Sequence, residues 1–255
     1  MRAVFLGKHK RSAARALEFL VARGVDVAAV VAPEPDPCSA DAQRLDLVAQ
    51  RHGLTLVDEP ELYERPPENV DLVISFLFWR LIREPLISLG RLGCLNFHPA
   101  PLPDFRGLGG INVAILEGLP EWGVSCHFVD ARFDTGDLVE VERFPIDESA
   151  ETAFSLDLKS QERLLGLFER VMQSVLDGEE LTRAPQGEGR YVTREEFEGL
   201  RLVRPGDDLE RKLRAFWYPP HPGAQVEIEG RRVTLVNESL LFELADVYRA
   251  AGRVP

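Results

Sequence analysis

Apolar positions recur along this chain with two alternating periods. Residues 2–6 form a short apolar run closed by Gly7. Residues 13–23 carry Ala13, Leu17, Leu20 and Val21 at helical spacing, and Gly24 follows as a cap. Residues 25–31 are apolar again apart from Asp26, the mark of a strand covered on both faces. Strand, helix, strand is the opening of a doubly wound α/β domain with a mostly parallel sheet. The pattern then predicts a loop over 33–42, a helix over 43–52, a short strand at 55–57 and a buried strand over 70–76. It continues with a helix over 81–89, strands at 94–97, 124–129 and 138–144, and a short helix at 111–117. A long helix over 151–176 sets Phe154, Leu158, Leu164, Leu165, Phe168, Val171, Met172 and Val175 on or near one face.

Beyond residue 187 the composition shifts. Gly187-Glu188-Gly189-Arg190 reads as a linker, followed by a helix at 207–216 and a stiff Pro-rich turn at 217–223. Two alternating runs, 224–228 and 232–236, flank Glu229-Gly230-Arg231 as an antiparallel hairpin, and 240–251 has a helical pattern. The expected organisation is a main α/β domain over 1–190 and a small C-terminal subdomain over 191–255 built on the hairpin.

Composition narrows the function. The chain has 255 residues, 45% hydrophobic, with no apolar run near the roughly 20 residues of a membrane helix. Its N-terminus has no signal-peptide pattern, so a cytoplasmic location is expected, with no membrane partner. Cys38, Cys94 and Cys126 are scattered without CxxC spacing, which argues for buried or bystander thiols and against disulfide or metal roles. A net charge of −12 disfavours a polyanion partner, so nucleic acid is not expected and a small-molecule substrate is.

Residues 95–137 hold the candidate chemistry. Asn96 and His98 are two apart in an extended segment, hence on one side of it. Pro99 keeps His98 out of helical angles. Asp134 follows 36 residues after His98, in another loop. An amide N–H can stabilise an oxyanion, an imidazole can move a proton, and a carboxylate can orient that imidazole and favour its cation. The trio suits attack of a nucleophile on a carbonyl; a structural His beside an Asn is the competing reading. His127, inside an apolar strand, reads as a satisfied core or interface histidine. Lys8 and Lys10 lie at a helix start where such folds bind phosphate, though a solvated basic turn explains them equally. The turn 77–81 at a strand C-terminus is either the wall of a site for a flat ring or core packing.

Leu95-Asn96-Phe97-His98-Pro99, Leu102-Pro103, Arg106-Gly107 and Asp134-Thr135-Gly136-Asp137 together closely resemble the signature of the N10-formyltetrahydrofolate-dependent formyltransferases, over about residues 1–190. The family's usual Ser-Leu-Leu-Pro is Ala100-Pro101-Leu102-Pro103 here, which touches any contact from that Ser but leaves the trio whole. The resemblance implies that Asn96 binds the formyl oxygen, that His98 polarises it or shuttles the amine proton, and that Asp134 positions and charges His98. It implies N10-formyltetrahydrofolate as donor, held mainly by backbone along 77–81 and 130–134, with Phe78, Trp79, Leu81, Asp130 and Phe133 around it, and no metal.

Among the family's branches, the acidic loop 33–42 and a C-terminal part of roughly fifty to sixty residues argue against methionyl-tRNA. The segment 189–195 and the run 214–224 look like the sugar N-formyltransferases. That likeness makes the expected acceptor the amine of a nucleotide-linked amino sugar, with a dTDP-linked sugar expected. Lys8, Lys10, Arg80 and Arg190 would then meet the diphosphate or sugar, and Tyr191 and Trp217 would stack on a base or sugar. A homodimer is expected, as in many relatives. An amino-acid-derived amine, methionyl-tRNA, or water in a hydrolase remain the alternatives.

Overall fold

A computed structural model describes residues 1–34 and 44–250, with side chains as far as residue 246. Most of the expected loop 33–42, with Cys38, and the ends of the helices expected at 43–52 and 240–251 lie outside the described residues. The first part of the chain runs β1 (Arg2–Gly7), α1 (Arg11–Ala22), β2 (Asp26–Val31), α2 (Leu45–Arg51), α3 (Glu59–Glu64), β3 (Leu72–Phe76), α4 (Leu86–Leu89) and β4 (Cys94–His98). The middle holds β5 (Phe105–Gly107), α5 (Gly110–Glu117), β6 (Glu121–Phe128), β7 (Leu138–Pro145) and α6 (Ala153–Leu176). The remainder holds β8 (Arg190–Val192), α7 (Arg194–Arg201), α8 (Leu209–Phe216), β9 (Gln225–Ile228), β10 (Arg231–Thr234) and α9 (Glu238–Ala250).

Among the described residues the apolar runs form one sheet of order β2-β1-β3-β4-β6-β7. β1 pairs in parallel with β2 and β3, and β3 with β4; β6 then runs antiparallel to β4. β3 is buried along its whole length and β1 after its first residue, as strands covered on both faces must be. Phe168 of α6 fixes that helix to the sheet: its ring lies 5.5 Å from Phe76, 4.8 Å from Phe97 and 6.0 Å from Phe19 of α1. This is the doubly wound, mostly parallel α/β core that the apolar runs predict.

The chain divides into two compact units. The first comprises Met1–Arg106, Gly123–Glu142 and Ser160–Gly189 and carries most of the sheet. The second comprises Gly107–Trp122, Arg143–Lys159 and Arg190–Pro255. In the second, Asn112 of α5 donates from Nδ2 to the Ala215 carbonyl of α8, at 2.6 Å, and the Tyr218 hydroxyl donates to Asp157 at 2.6 Å. The expected hairpin is present as β9 and β10, turned by Glu229 and Gly230, both left-handed, at φ 51° and 73°. A two-residue loop with both φ values positive matches the twist of the strands it joins.

Several elements differ from expectation, each for a local reason. The helix expected over 81–89 shrinks to α4, because Pro85 excludes helical geometry at Glu84 and supplies no N–H. The strand expected at 55–57 is a single parallel bridge, Val30 to Leu56. The long helix begins at Ala153, and Leu158 on it is exposed rather than on the buried face. Two helices went unforeseen. α3 is capped by the Asp58 side chain accepting from the Glu61 N–H at 2.7 Å, and α7 by Thr193 accepting from the Glu196 N–H at 3.1 Å. Both caps are written in the sequence as a Ser/Thr/Asp residue three before a Glu.

Candidate active site

The register of three strands builds the floor of the site. Ser75 of β3 pairs with Asn96 of β4, and Asn96 pairs with His127 of β6. Paired residues share a face, so Ser75, Asn96 and His127 form a row across the sheet. His98, two residues beyond Asn96, lies opposite Ser125. In β4 the alternate residues Leu95 and Phe97 are buried while Asn96 and His98 reach the half-open face.

The row is hydrogen-bonded in one sense. The Ser75 hydroxyl donates to Asn96 Oδ1 at 2.6 Å, which turns the amide nitrogen toward His127 and Asp134. Asn96 Nδ2 lies 3.0 Å from His127 Nε2, so that nitrogen accepts. His127 Nδ1 then carries the proton and donates to the Phe128 carbonyl at 2.7 Å, which fixes the tautomer of this ring. The second Asn96 N–H faces Asp134 Oδ1 at 3.5 Å, a contact at the limit of a hydrogen bond and cheap to redirect.

Asp134 reaches this row from the loop between β6 and β7. Its own backbone is left-handed, φ 56°, a strained state for a non-glycine residue that recurs at functional sites. The loop is folded by the Asp130 carboxylate, which accepts from the Arg132 N–H at 3.0 Å and the Thr135 hydroxyl at 2.7 Å. Gly136 lies so close to the Phe128 carbonyl that a Cβ there would sit 1.9 Å from the oxygen. Asp134 Oδ1 stands 3.6 Å from His98 Nδ1 and 3.7 Å from His127 Nε2.

His98 is held from the other side. Its Nε2 lies 3.2 Å from the Phe105 carbonyl, to which only an N–H can donate. Nδ1, facing Asp134, is therefore the atom where a proton can come and go. Burial lowers the His98 pKa below its ordinary value; the Asp134 charge opposes that, and neighbouring His127 adds to it. A neutral imidazole beside a carboxylate is ready to take a proton and to have its cation stabilised once it does.

Ser125, fully buried, fastens the segment after His98. It accepts from the Leu102 N–H at 2.9 Å and donates to the Ala100 carbonyl at 2.8 Å. Ser125→Ala leaves both backbone groups without this partner and should cost about 1–3 kcal/mol in chemical denaturation; a loss under about 0.5 kcal/mol would mean the segment holds itself.

The structure thus brings Asn96, His98 and Asp134 together. It adds Ser75, absent from the sequence reading, and His127, which is the buried, hydrogen-bonded histidine expected and also borders the trio. Strand alternation puts His127 and Ser125 on one face of 124–129, but only the pairing register shows that Asn96 is their neighbour.

The other candidate residues are spread more widely. A cavity of about 690 Å³ is lined by Glu59, Tyr63, Arg80, Leu81, Arg83, Glu84 and Phe133. It joins the turn after β3 to the residue before Asp134. Leu77, at the start of that turn, is left-handed with φ 58°. Phe78 packs against the buried cluster under the sheet, and the more exposed Trp79 ring lies 4.8 Å from it. Arg80 is ion-paired with Glu59 and lies 5.7 Å from the Trp79 ring. Asp130 is engaged within its own loop. Lys8 and Lys10 stand just before α1, whose N-cap Lys10 makes no side-chain cap. Arg190, Tyr191 and Trp217 belong to the second unit. There Arg190 bridges Glu117 and Glu196, Tyr191 is half exposed, and Trp217 is buried. Burial also raises the Cys94 and Cys126 thiols well above their ordinary range, which keeps both protonated.

Residues 2–165 match the family described as formyl transferase. A GDP-perosamine N-formyltransferase from Brucella melitensis is 34% identical over 163 residues, which cover 63% of this chain and 62% of that protein. The match thus spans less than two thirds of that relative. A methionyl-tRNA formyltransferase from Lachnospira eligens is 28% identical across 97% of this chain and 81% of its own length. The solved N-formyltransferase from Helicobacter canadensis, in complex with folinic acid and dTDP-3-aminofucose, superposes with a TM-score of 0.73 at 20% identity, over 93% of this chain and 89% of that one. That similarity shows the shared fold.

Proposed function

The chain belongs to the formyl transferase family, and within it we propose that it moves a formyl group from N10-formyltetrahydrofolate to the amine of a nucleotide-linked amino sugar. One observation carries the reading: Asn96, His98 and Asp134 converge, with His98 Nδ1 facing the carboxylate at 3.6 Å. The donor supplies an activated formyl carbon. The cavity beside Phe133 offers such a group an aromatic wall in Tyr63 and Phe133; its charged lining is mixed, with Arg83 and the Glu59-paired Arg80 beside Glu59 and Glu84. In this reading Leu81 and Phe133 hold the donor, and Arg80 belongs to the acceptor. Asn96 turns its second N–H from Asp134 to the formyl oxygen as that oxygen gains charge. His98 takes the amine proton at Nδ1, Asp134 stabilises the resulting imidazolium, and that proton would pass to N10 as the formyl C–N10 bond breaks and tetrahydrofolate leaves. The chemistry is assigned to residues 1–190.

The amino-sugar acceptor is supported by the net charge of −12, which opposes tRNA, and by the Brucella relative named for a GDP-linked amino sugar. A dTDP-linked sugar is the expectation from sequence, and GDP is its competitor. A second reading, methionyl-tRNA as acceptor, rests on the Lachnospira relative, whose similarity extends along nearly the whole chain. A thermal-shift panel of UDP, dTDP and GDP, each with a folate analogue, tests the proposal. Stabilisation by one nucleotide, followed by formylation of its amino sugar, is expected. No response to any nucleotide, or formylation of methionyl-tRNA, would overturn the sugar reading; formate release without acceptor would make the protein a hydrolase.

A further inference from the structure

The sequence gives Gly187-Glu188-Gly189-Arg190 the look of a linker, yet the folded segment 184–189 touches both limbs of the site. We propose that Gln186 is a positioning residue that ties the stretch carrying His98 to the loop carrying Asp134. The inference rests on the proposed roles of His98 and Asp134.

Both ends of the Gln186 amide are used. Nε2 donates to the Gly136 carbonyl at 2.6 Å, two residues from Asp134. Oε1 accepts from Arg106, at 2.9 Å from Nη2 and 3.3 Å from Nε. Arg106 Nη2 also donates to the Gly187 carbonyl at 2.9 Å. Arg106 adjoins Phe105, whose carbonyl accepts from His98 Nε2. Two backbone approaches flank the amide. Ala184 exchanges hydrogen bonds with Leu138 at 2.8 and 3.0 Å, just beyond the Asp134 loop. Gly189 abuts the Pro103 carbonyl so closely that a Cβ would sit 1.8 Å from its oxygen. The segment is therefore stitched to the Asp134 side at residues 184 and 186 and to the His98 side at residues 186 and 189. All of these residues lie in one compact unit.

Such a brace has a physical purpose. Asp134 and residues 99–104 after His98 are loop, and loops drift unless tied. The left-handed Asp134 backbone persists only where its surroundings over-determine it. A misplacement of about 1 Å in a reacting group can cost about 100-fold in rate.

The test uses two variants of the full chain. Gln186→Leu removes both contacts. Gln186→Glu preserves shape and the acceptor for Arg106 but cannot donate to the Gly136 carbonyl as a carboxylate, so it isolates the link to the Asp134 loop. Both should lower kcat about 10- to 100-fold while the donor KM stays within about threefold. A second readout needs no substrate. The charged or titratable groups acting on the His98 imidazole are Asp134, which raises its pKa, and His127, which lowers it. NMR titration of the five histidines, with His98→Asn to assign the signal, should find the His98 midpoint moved to lower pH in Gln186→Leu, which adds no charge, as Asp134 withdraws. A folded Gln186→Leu protein with wild-type kcat and an unmoved His98 midpoint would overturn the proposal. Should the wild-type chain transfer no formyl group, the titration alone still decides whether Gln186 holds the carboxylate to the imidazole, so the two failures are told apart.

Discussion

Asp134→Asn should lower kcat by about 10³- to 10⁴-fold, the scale seen where an orienting carboxylate is replaced by its amide. The substitution keeps the shape of the side chain and removes one charge from a site where Oδ1 faces His98 Nδ1 at 3.6 Å, His127 Nε2 at 3.7 Å and Asn96 Nδ2 at 3.5 Å. Without the carboxylate, an imidazolium formed at His98 would sit in a buried site with nothing to offset its charge. The pH profile gives the sign independently. Burial is the largest influence on His98 and lowers its pKa; the Asp134 charge is the main influence raising it. If neutral His98 is the active form, the acid limb of kcat/KM lies below the ordinary His value of about 6.5 in the wild type. Asp134→Asn removes the raising influence, so its residual activity should have an acid limb at still lower pH. Single-turnover formyl transfer across a pH series measures both. Activity within about tenfold of wild type, or a limb moving to higher pH, would remove Asp134 from this role.

How far the sequence leads depends on whether the information is local. The strands of the parallel sheet are legible because a strand covered on both faces reads as a continuous apolar run, as at 25–31 and 70–76. The hairpin is legible because Gly230 sits between two alternating runs. The helix expected at 81–89 is cut to its last turn by Pro85. Two short helices escaped because their few apolar positions carry little periodicity, although Asp58 and Thr193 mark their starts. Asn96 and His98 are visible as a pair through strand alternation. Asp134 joins them in the sequence as a carboxylate in another loop, and the resemblance strengthens that link, but nothing local brings residue 134 back to residue 98. Ser75 and His127 are a different case. Their role follows from register, which is set by how β3, β4 and β6 align, and no window of sequence along one strand contains it. Gln186 is harder still, because its partners at residues 106 and 136 meet only after both loops have folded.

Asn96→Ala should lower kcat by about 10²- to 10³-fold, the cost of one lost oxyanion donor. It should also destabilise the fold by about 1–3 kcal/mol, because the amide satisfies two buried groups at once. The Ser75 hydroxyl donates to Oδ1, and His127 Nε2 accepts from Nδ2. Both lose their partner in the variant. The two effects are separable. Asn96→Asp keeps the shape and the acceptor for Ser75 but offers no N–H to a developing oxyanion, and it sets a second carboxylate where the amide nitrogen stood 3.5 Å from Asp134. Like charges that close suppress ionisation of one of the pair. A proton shared by the two carboxylates would screen Asp134 from His98, so the loss should exceed that of Asn96→Ala. Ser75→Ala removes only the group that orients the amide, leaving the donor present but free to turn; its effect on kcat should be smaller than either substitution at residue 96. The order Asp below Ala below the Ser75 variant, measured as kcat under saturating donor and acceptor, is what an aimed amide donor requires. If Asn96→Asp were the most active of the three, the side chain at 96 would serve shape alone, and the oxygen of the formyl group would have to be met elsewhere.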